Sequence, residues 1–237
     1  MDTIVLAGGS NERLKSVIPS FHKPLLVING RPLVVDIVDK ILQATSSSDR
    51  VIVVCSPHNV NAIADVVSRV ALTGADEIDF VVQPQPIGIV DATVRGLRAA
   101  DSEHVMVVCA DNIIPAAVLK NMVRRKGDDV PAIATATVLG PAARRFTRVI
   151  TDVDKGVAVD FIEDKAAELT EAEYVCWVGP VVMQRNLALK SLTFNRAAPS
   201  LSRFFSEIHP EWNIVHGDAK DVGIVDELMQ FTPHTES

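Results

Sequence analysis

Two glycines followed by positive charge are the first residues of this sequence that could do chemistry. Leu6-Ala7-Gly8-Gly9 ends a short β-rich run, Arg13 follows it, and Lys23-Pro24-Leu25-Leu26 comes before the first helical pattern. Paired glycines let a backbone approach a ligand closely and turn successive N–H groups toward one point, forming an anion nest. By themselves they read more readily as a tight strand-to-loop turn. Two cations set near such a nest point to a phosphate. A second candidate is Asp111-Asn112, at the end of the apolar run Val107-Val108-Cys109-Ala110. An Asp there is often only a turn residue or a helix cap, but an open α/β sheet presents its ligand-binding groups beyond the carboxyl ends of its strands. The six His have no ligand spacing, and no Ser-His-Asp or Cys-His grouping offers a nucleophile.

Such groups need a sheet to position them. Short β-rich runs at 3–6, 50–54, 79–82, 104–109 and 132–138 alternate with segments of helical period at 32–44, 59–72, 89–99 and 115–125. That alternation predicts a doubly wound, Rossmann-like α/β fold, a mixed and mainly parallel sheet with helices on both faces. Beyond about Gly140 it loosens. Residues 148–152, 157–162 and 173–183 read as consecutive strands with few helices between them, an antiparallel extension of the same sheet. One domain over 1–237 is expected, its second region forming the other wall of a cleft.

The charge balance is 23 basic against 30 acidic residues, net −7, without a basic stripe. Neither nucleic acid nor an anionic membrane is an expected partner. The start Met1-Asp2-Thr3 lacks the basic region and unbroken apolar stretch of a signal peptide, and no apolar run approaches the length of a membrane span. Cys55, Cys109 and Cys176 are far apart and odd in number, so a reducing cytoplasmic location is expected, without disulfides or a zinc site.

Taken in order, these segments resemble the sugar-phosphate nucleotidyltransferase family, which includes glucose-1-phosphate thymidylyltransferases and uridylyltransferases. The family opens approximately L-A-G-G-x-G-T-R-L and continues K-P-L-L, which Leu6-Ala7-Gly8-Gly9, Arg13-Leu14 and Lys23-Pro24-Leu25-Leu26 match. Gln83-Pro84-Gln85-Pro86-Ile87-Gly88 is similar to Q-x-x-P-x-G, and Ala110-Asp111-Asn112 to G-D-N. The strand read at 157–162 and its continuation Glu163-Asp164-Lys165 resemble a strand ending in E-K-P; residues 174–183, with Gly179, resemble one ending in G-[IL]-Y. Asp218-Ala219-Lys220-Asp221-Val222-Gly223-Ile224 is similar to W-x-D-x-G-T. The resemblance runs from Ile4 to about Phe231.

It implies that residues 1–139 mainly bind a nucleoside triphosphate and 140–237 mainly a sugar 1-phosphate, which are joined with release of pyrophosphate. Leu6, Ala7, Gly8 and Gly9 would cradle the nucleotide, with Gln83 and Gly88 at its base. A Gln amide that both donates and accepts suits thymine or uracil, which favours dTTP or UTP. Asn112, Asp164, Lys165 and Gly179 would meet the sugar phosphate. Asp111 with Asp221, or with Asp218 in its place, would hold Mg²⁺, a hard cation that takes one or two carboxylates plus phosphate oxygens. The attacking phosphate oxygen is already an anion and needs no general base. Arg13 would stabilise the departing pyrophosphate, and Lys23 would stand near the α-phosphate. A homo-oligomer is compatible with this reading.

The chain departs from the family at Asn11 for Gly, Glu12 for Thr, Ala110 for Gly, Ala166 for Pro and Ile224 for Thr, and it places Arg148 where the family tends to have Gly beside the sugar. Asn accepts a left-handed backbone, whereas a carboxylate at Glu12 must face away from the triphosphate or reach the metal. These departures leave an alternative, a regulatory relative that binds nucleotide sugar without turnover. A Rossmann dehydrogenase is not supported, since the loop lacks G-x-G-x-x-G spacing and Lys23-Pro24 would have no place.

Overall fold

β-branched runs and amphipathic segments do alternate along the first half of the chain. In order come β1 (Asp2–Leu6), β2 (Val27–Ile28), β3 (Arg31–Pro32), α1 (Leu33–Ala44), β4 (Val51–Cys55), α2 (Val60–Ala71), β5 (Ile78–Val82), α3 (Ile89–Ala99), β6 (His104–Cys109), β7 (Asn112–Ile113) and α4 (Ala116–Val123). There follow β8 (Ala132–Leu139), β9 (Arg148–Asp152), β10 (Val157–Ile162), β11 (Glu173–Gln184), α5 (Arg185–Thr193), α6 (Leu201–Ile208), β12 (Trp212–His216) and β13 (Lys220–Asp221). The structure, a computed structural model, describes residues 1–9, 22–46, 49–71, 78–164, 168–193, 201–217 and, by main chain alone, 220–221. Arg13, Lys165, Asp218 and the departures Asn11, Glu12, Ala166 and Ile224 lie outside the described residues.

Nine strands form one sheet in the order β5-β4-β1-β6-β11-β8-β12-β10-β9. β5, β4, β1 and β6 are parallel, as βαβ connections require. β11 runs antiparallel to both β6 and β8, and β10 and β9 continue antiparallel. β12 lies parallel to β8, so the extension is mixed rather than wholly antiparallel.

Because neighbouring side chains of a strand point to opposite faces, each strand feeds two cores. Val5, Val53, Met106 and Val108 pack with Ile37 and Ile41 of α1, Ile63 of α2 and Leu119 of α4. Ile4, Ile52, Val54, Val105 and Val107 pack on the other face with Leu97 of α3 and Phe204, Phe205 and Ile208 of α6. In α3 the closest approach is made by Gly96, where a Cβ would fall 2.3 Å from Ile4 Cγ2. The helix thus lies directly on β1, whose carboxyl end carries the glycine pair.

The opposite end of β1 is held by a buried carboxylate. Asp2, 3% exposed, accepts from the Asp101 N–H at 2.8 Å, the Ser102 hydroxyl at 2.8 Å and the Ser102 N–H at 3.1 Å. Burial alone would raise its pKa, but these donors outweigh burial and hold the carboxyl below the ordinary carboxylate range. A depressed folded pKa contributes stability that is complete above the unfolded value of about 3.9 and is lost as pH falls through the folded value. Asp2→Asn is expected to lower stability at pH 7 by about 1–3 kcal/mol. It should also flatten the loss of stability below about pH 4 relative to the parent. Urea melts across that range check both, and parallel curves for the two proteins would remove Asp2 from the acid transition.

Candidate active site

The carboxyl ends of β1, β5 and β6 open into a cavity of about 280 Å³, lined among others by Leu6, Ala7, Gly8, Gly9, Gln83 and Gly88. All six residues expected to meet the nucleotide therefore share one wall. Their loop is braced from below: the buried Asn59 amide donates to Ala7 O at 2.8 Å and accepts from the Ser56 N–H at 2.8 Å. At Gly8 a Cβ would stand 3.2 Å from the Cys55 carbonyl carbon and 3.2 Å from Gln83 Oε1, whereas at Gly9 it would meet nothing within 4 Å. The first glycine is needed for close packing, and the second opens toward space.

Gln83 is 3% exposed. Its Nε2 donates to Gly88 O at 3.0 Å and to Asp91 Oδ2 at 3.1 Å. Asp91 is also bonded by Arg95 at 2.7 Å; burial works against ionisation, yet the Arg95 and Gln83 donors prevail and hold its carboxyl below the usual range. The donor half of the Gln83 amide is thus committed to the 83–91 loop, where Gly88 takes φ +111°, a conformation that favours glycine. Base recognition by that donor, as expected from the sequence, would require these bonds to break.

A second cavity, of about 300 Å³, is lined by residues including Asp111, Asn112, Arg145, Glu163, Trp177 and Gly179. The two cavities share Ile89, Cys109 and Asp111. Asp111 therefore stands where they meet. Lys23, in a short 3-10 turn over Lys23–Leu25, places Nζ 3.4 Å from Asp111 Oδ2, and both side chains are largely shielded, at 13% and 29% exposure. The surroundings of the Asn112 amide orient it with nitrogen 3.3 Å from Asp111 Oδ1 and oxygen 3.2 Å from the Gly179 N–H. On its other side Gly179 O accepts from Trp177 Nε1 at 2.9 Å. Gly179 sits at φ +132°, inside a register shift of β11 between Trp177 and Val181. The main chain of Asp221 pairs antiparallel with Asn112, next to Asp111.

The remaining expected residues are placed differently. Asp164 is exposed and is not among the residues lining the cavity; its carbonyl accepts from Arg148 Nη2 at 3.2 Å, and the neighbouring Glu163 lines the cavity instead. Glu163 Oε2 accepts from the Ser202 N–H at 3.2 Å, at the start of α6. Arg148 itself lies over the Tyr174 ring, 5.8 Å from its centroid, outside the lining, while Thr147 beside it is inside. Arg145, Glu163, Trp177 and Asn59 did not emerge from the sequence as site residues. A doubled arginine at 144–145 and a Trp in a strand otherwise aliphatic at that point were the available signals.

Thiol chemistry is not offered by the buried cysteines. Burial pushes Cys55 up to about 12 and Cys176 up to about 11, so both remain protonated. Among the described residues no group of three or more His, Cys, Asp or Glu could hold a metal by itself, and no helix is long and apolar enough to cross a membrane.

Comparison with known proteins shows the family of the chain. Residues 3–205 match the profile of the MobA-like NTP transferase domain. A bifunctional protein GlmU of Cupriavidus necator is 29% identical over 175 residues, covering 73% of this chain and 35% of its own length. The chain thus spans about a third of the length of the curated relatives it matches. In structure, a Bacillus anthracis protein assigned as a glucose-1-phosphate thymidylyltransferase superposes with a TM-score of 0.81 at 16% identity, covering 97% of this chain and 93% of that one. HddC from Yersinia pseudotuberculosis, complexed with GMP-PN, gives a TM-score of 0.73 at 18% identity and covers 97% of each chain. At these identities the superpositions speak for the fold, doubly wound as expected.

Proposed function

This chain belongs to the MobA-like NTP transferase domain family, and from that premise we propose that it transfers the nucleotidyl group of a nucleoside triphosphate to a sugar 1-phosphate. The observation that carries the proposal is the meeting of two cavities of similar size at Asp111. One has the glycine-lined wall suited to a triphosphate; the other has a mixed polar and apolar wall suited to a sugar. A phosphate oxygen of the acceptor attacks the α-phosphorus, a new P–O bond forms, the bond to the bridging β-oxygen breaks, and pyrophosphate leaves with the electron pair.

Both reactants are anions, so alignment and neutralisation supply the catalysis. Lys23 Nζ, already beside Asp111, would move to the α-phosphate when the nucleotide enters. Asn112 holds Asp111 toward Gly179 and so fixes the carboxylate against the acceptor wall. Asp111 and Asp221 are an all-oxygen set on adjacent main chain, which fits Mg²⁺ with its preference for few carboxylates and shared phosphate oxygens. When bound, Mg²⁺ would neutralise charge on the phosphates. Arg13 would face the departing pyrophosphate and Lys165 the acceptor phosphate, with Glu163 rather than Asp164 accepting from sugar hydroxyls.

Pyrophosphate release measured over four nucleoside triphosphates and a panel of sugar 1-phosphates tests the proposal directly, and no release from any pair would overturn it. The relatives differ in the nucleotide their descriptions carry, thymidylyl in one and GMP-PN in another, and the proposed preference for dTTP or UTP rests on the family resemblance rather than on the Gln83 donor. Because the Gln83 donor is bound to Gly88 and Asp91, Gln83→Ala is expected to loosen the whole base-side loop. Affinity for every triphosphate should fall by about tenfold, with their rank order kept. A change in rank order instead would make Gln83 the reader of the base edge.

A further inference from the structure

We propose that the Trp177 indole is the platform on which the acceptor's ring stacks, so that the acceptor is a pyranose 1-phosphate presenting an apolar C–H face; this rests on the transferase reading above. Trp177 lines the second cavity, and its ring is fixed there. Nε1 donates to Gly179 O at 2.9 Å. The Phe205 ring meets it edge-on, 5.3 Å between centroids at 73°. Phe205 is in turn enclosed by Phe161, Phe204 and the fully buried Trp212.

The rest of the wall has a matching division. Ile89, Phe146 and Leu201 are apolar, while Asp111, Arg145 and Glu163 bring charge. A pyranose is divided in the same way, with C–H groups on a face and hydroxyls around its rim. An indole whose rotamer is already set buries such a face over a large area at little cost in conformational entropy. Hydroxyl acceptors alone would not separate a ring from an open-chain polyol phosphate, whereas a flat apolar platform does. The platform is also linked to the reacting centre, since Gly179 is bonded to the indole through its carbonyl and to Asn112 through its N–H, and Asn112 is bonded to Asp111.

The chain has two tryptophans, which makes the test direct. The parent protein is titrated with α-D-glucose, α-D-mannose and α-D-galactose 1-phosphates, with glycerol 3-phosphate and inorganic phosphate as probes that lack a ring. A hexose 1-phosphate that supports turnover is expected to change tryptophan emission saturably, the two ringless probes are not, and Trp177→Phe, left with Trp212 alone, should lose the change. In kinetics, Trp177→Ala should raise the KM of that sugar phosphate by about tenfold or more while leaving the KM of the triphosphate nearly unchanged. Trp177→Phe, which keeps an aromatic face, should recover most of the loss and carries the test if the Ala variant fails to fold. Turnover in the parent with an unchanged sugar-phosphate KM in the substituted protein overturns the platform and leaves the transferase. A parent that binds nucleotide but neither binds nor uses any hexose 1-phosphate overturns both.

Discussion

Asp111→Asn is expected to reduce turnover by about a thousandfold or more, equivalent to about 4 kcal/mol in the barrier, with melting and circular dichroism close to the parent. Among the described residues its carboxylate is the charged group common to the two cavities, so its loss removes a proposed metal ligand and the partner of Lys23 in one step. Asn keeps the shape and can still meet Asn112. Folding should therefore be spared, because Asp111 is part-exposed and serves no core. Steady-state rates over a range of Mg²⁺ concentrations, together with thermal melts, separate the two effects. A variant that turns over like the parent at limiting Mg²⁺ would falsify the assignment of Asp111 to the metal.

Gly179→Ala is expected to damage both stability and acceptor use. At φ +132° an L-residue is strained by about 1–3 kcal/mol, and in a chain of this size each kcal/mol lowers Tm by roughly 2–4 °C. The same residue connects Asn112 to Trp177 through its N–H and carbonyl. Relaxing the strain would shift both partners, and the KM for the sugar phosphate should rise by about tenfold or more while that for the triphosphate holds. Melting curves and the two KM values are the measurements. Parent-like melting would mean that the left-handed backbone at 179 is not required.

How much of this was legible in the sequence depends on whether a residue's role was decided locally. The strands at 104–109, 148–152 and 157–162 and the helix at 89–99 coincide with the observed β6, β9, β10 and α3, because each carries a complete period between clear breaks. That β1, β4, β5 and β6 run parallel follows from the helical segments read between them. β12 was not separated: its partner β8 lies some eighty positions back, and nothing in Trp212–His216 marks that pairing. In the site, Gly8, Gly9, Lys23 and Asp111 stand at strand ends or turns, where residue type and position already suggest a ligand. Glu163 and Asp164 show the opposite case. Adjacent residues of an extended chain face opposite ways, so choosing between them requires the register of β10, and a shift between Ala158 and Asp160 moves it. Trp177 and Gly179 depend likewise on the irregularity in β11.

The near-separation of the two cavities has a consequence for how such a protein can change over time. Among the described residues, Ile89, Cys109 and Asp111 belong to both walls. Under the proposed function, substitutions at Arg145, Thr147 or Glu163 on one wall would re-aim the choice of acceptor while the glycine loop, on another strand, goes on holding the nucleotide. The two preferences would then drift independently, each tolerated while the other is held, because the continuous sheet keeps the two walls at a constant separation. New pairings of nucleotide and acceptor would be reachable by single replacements on one wall.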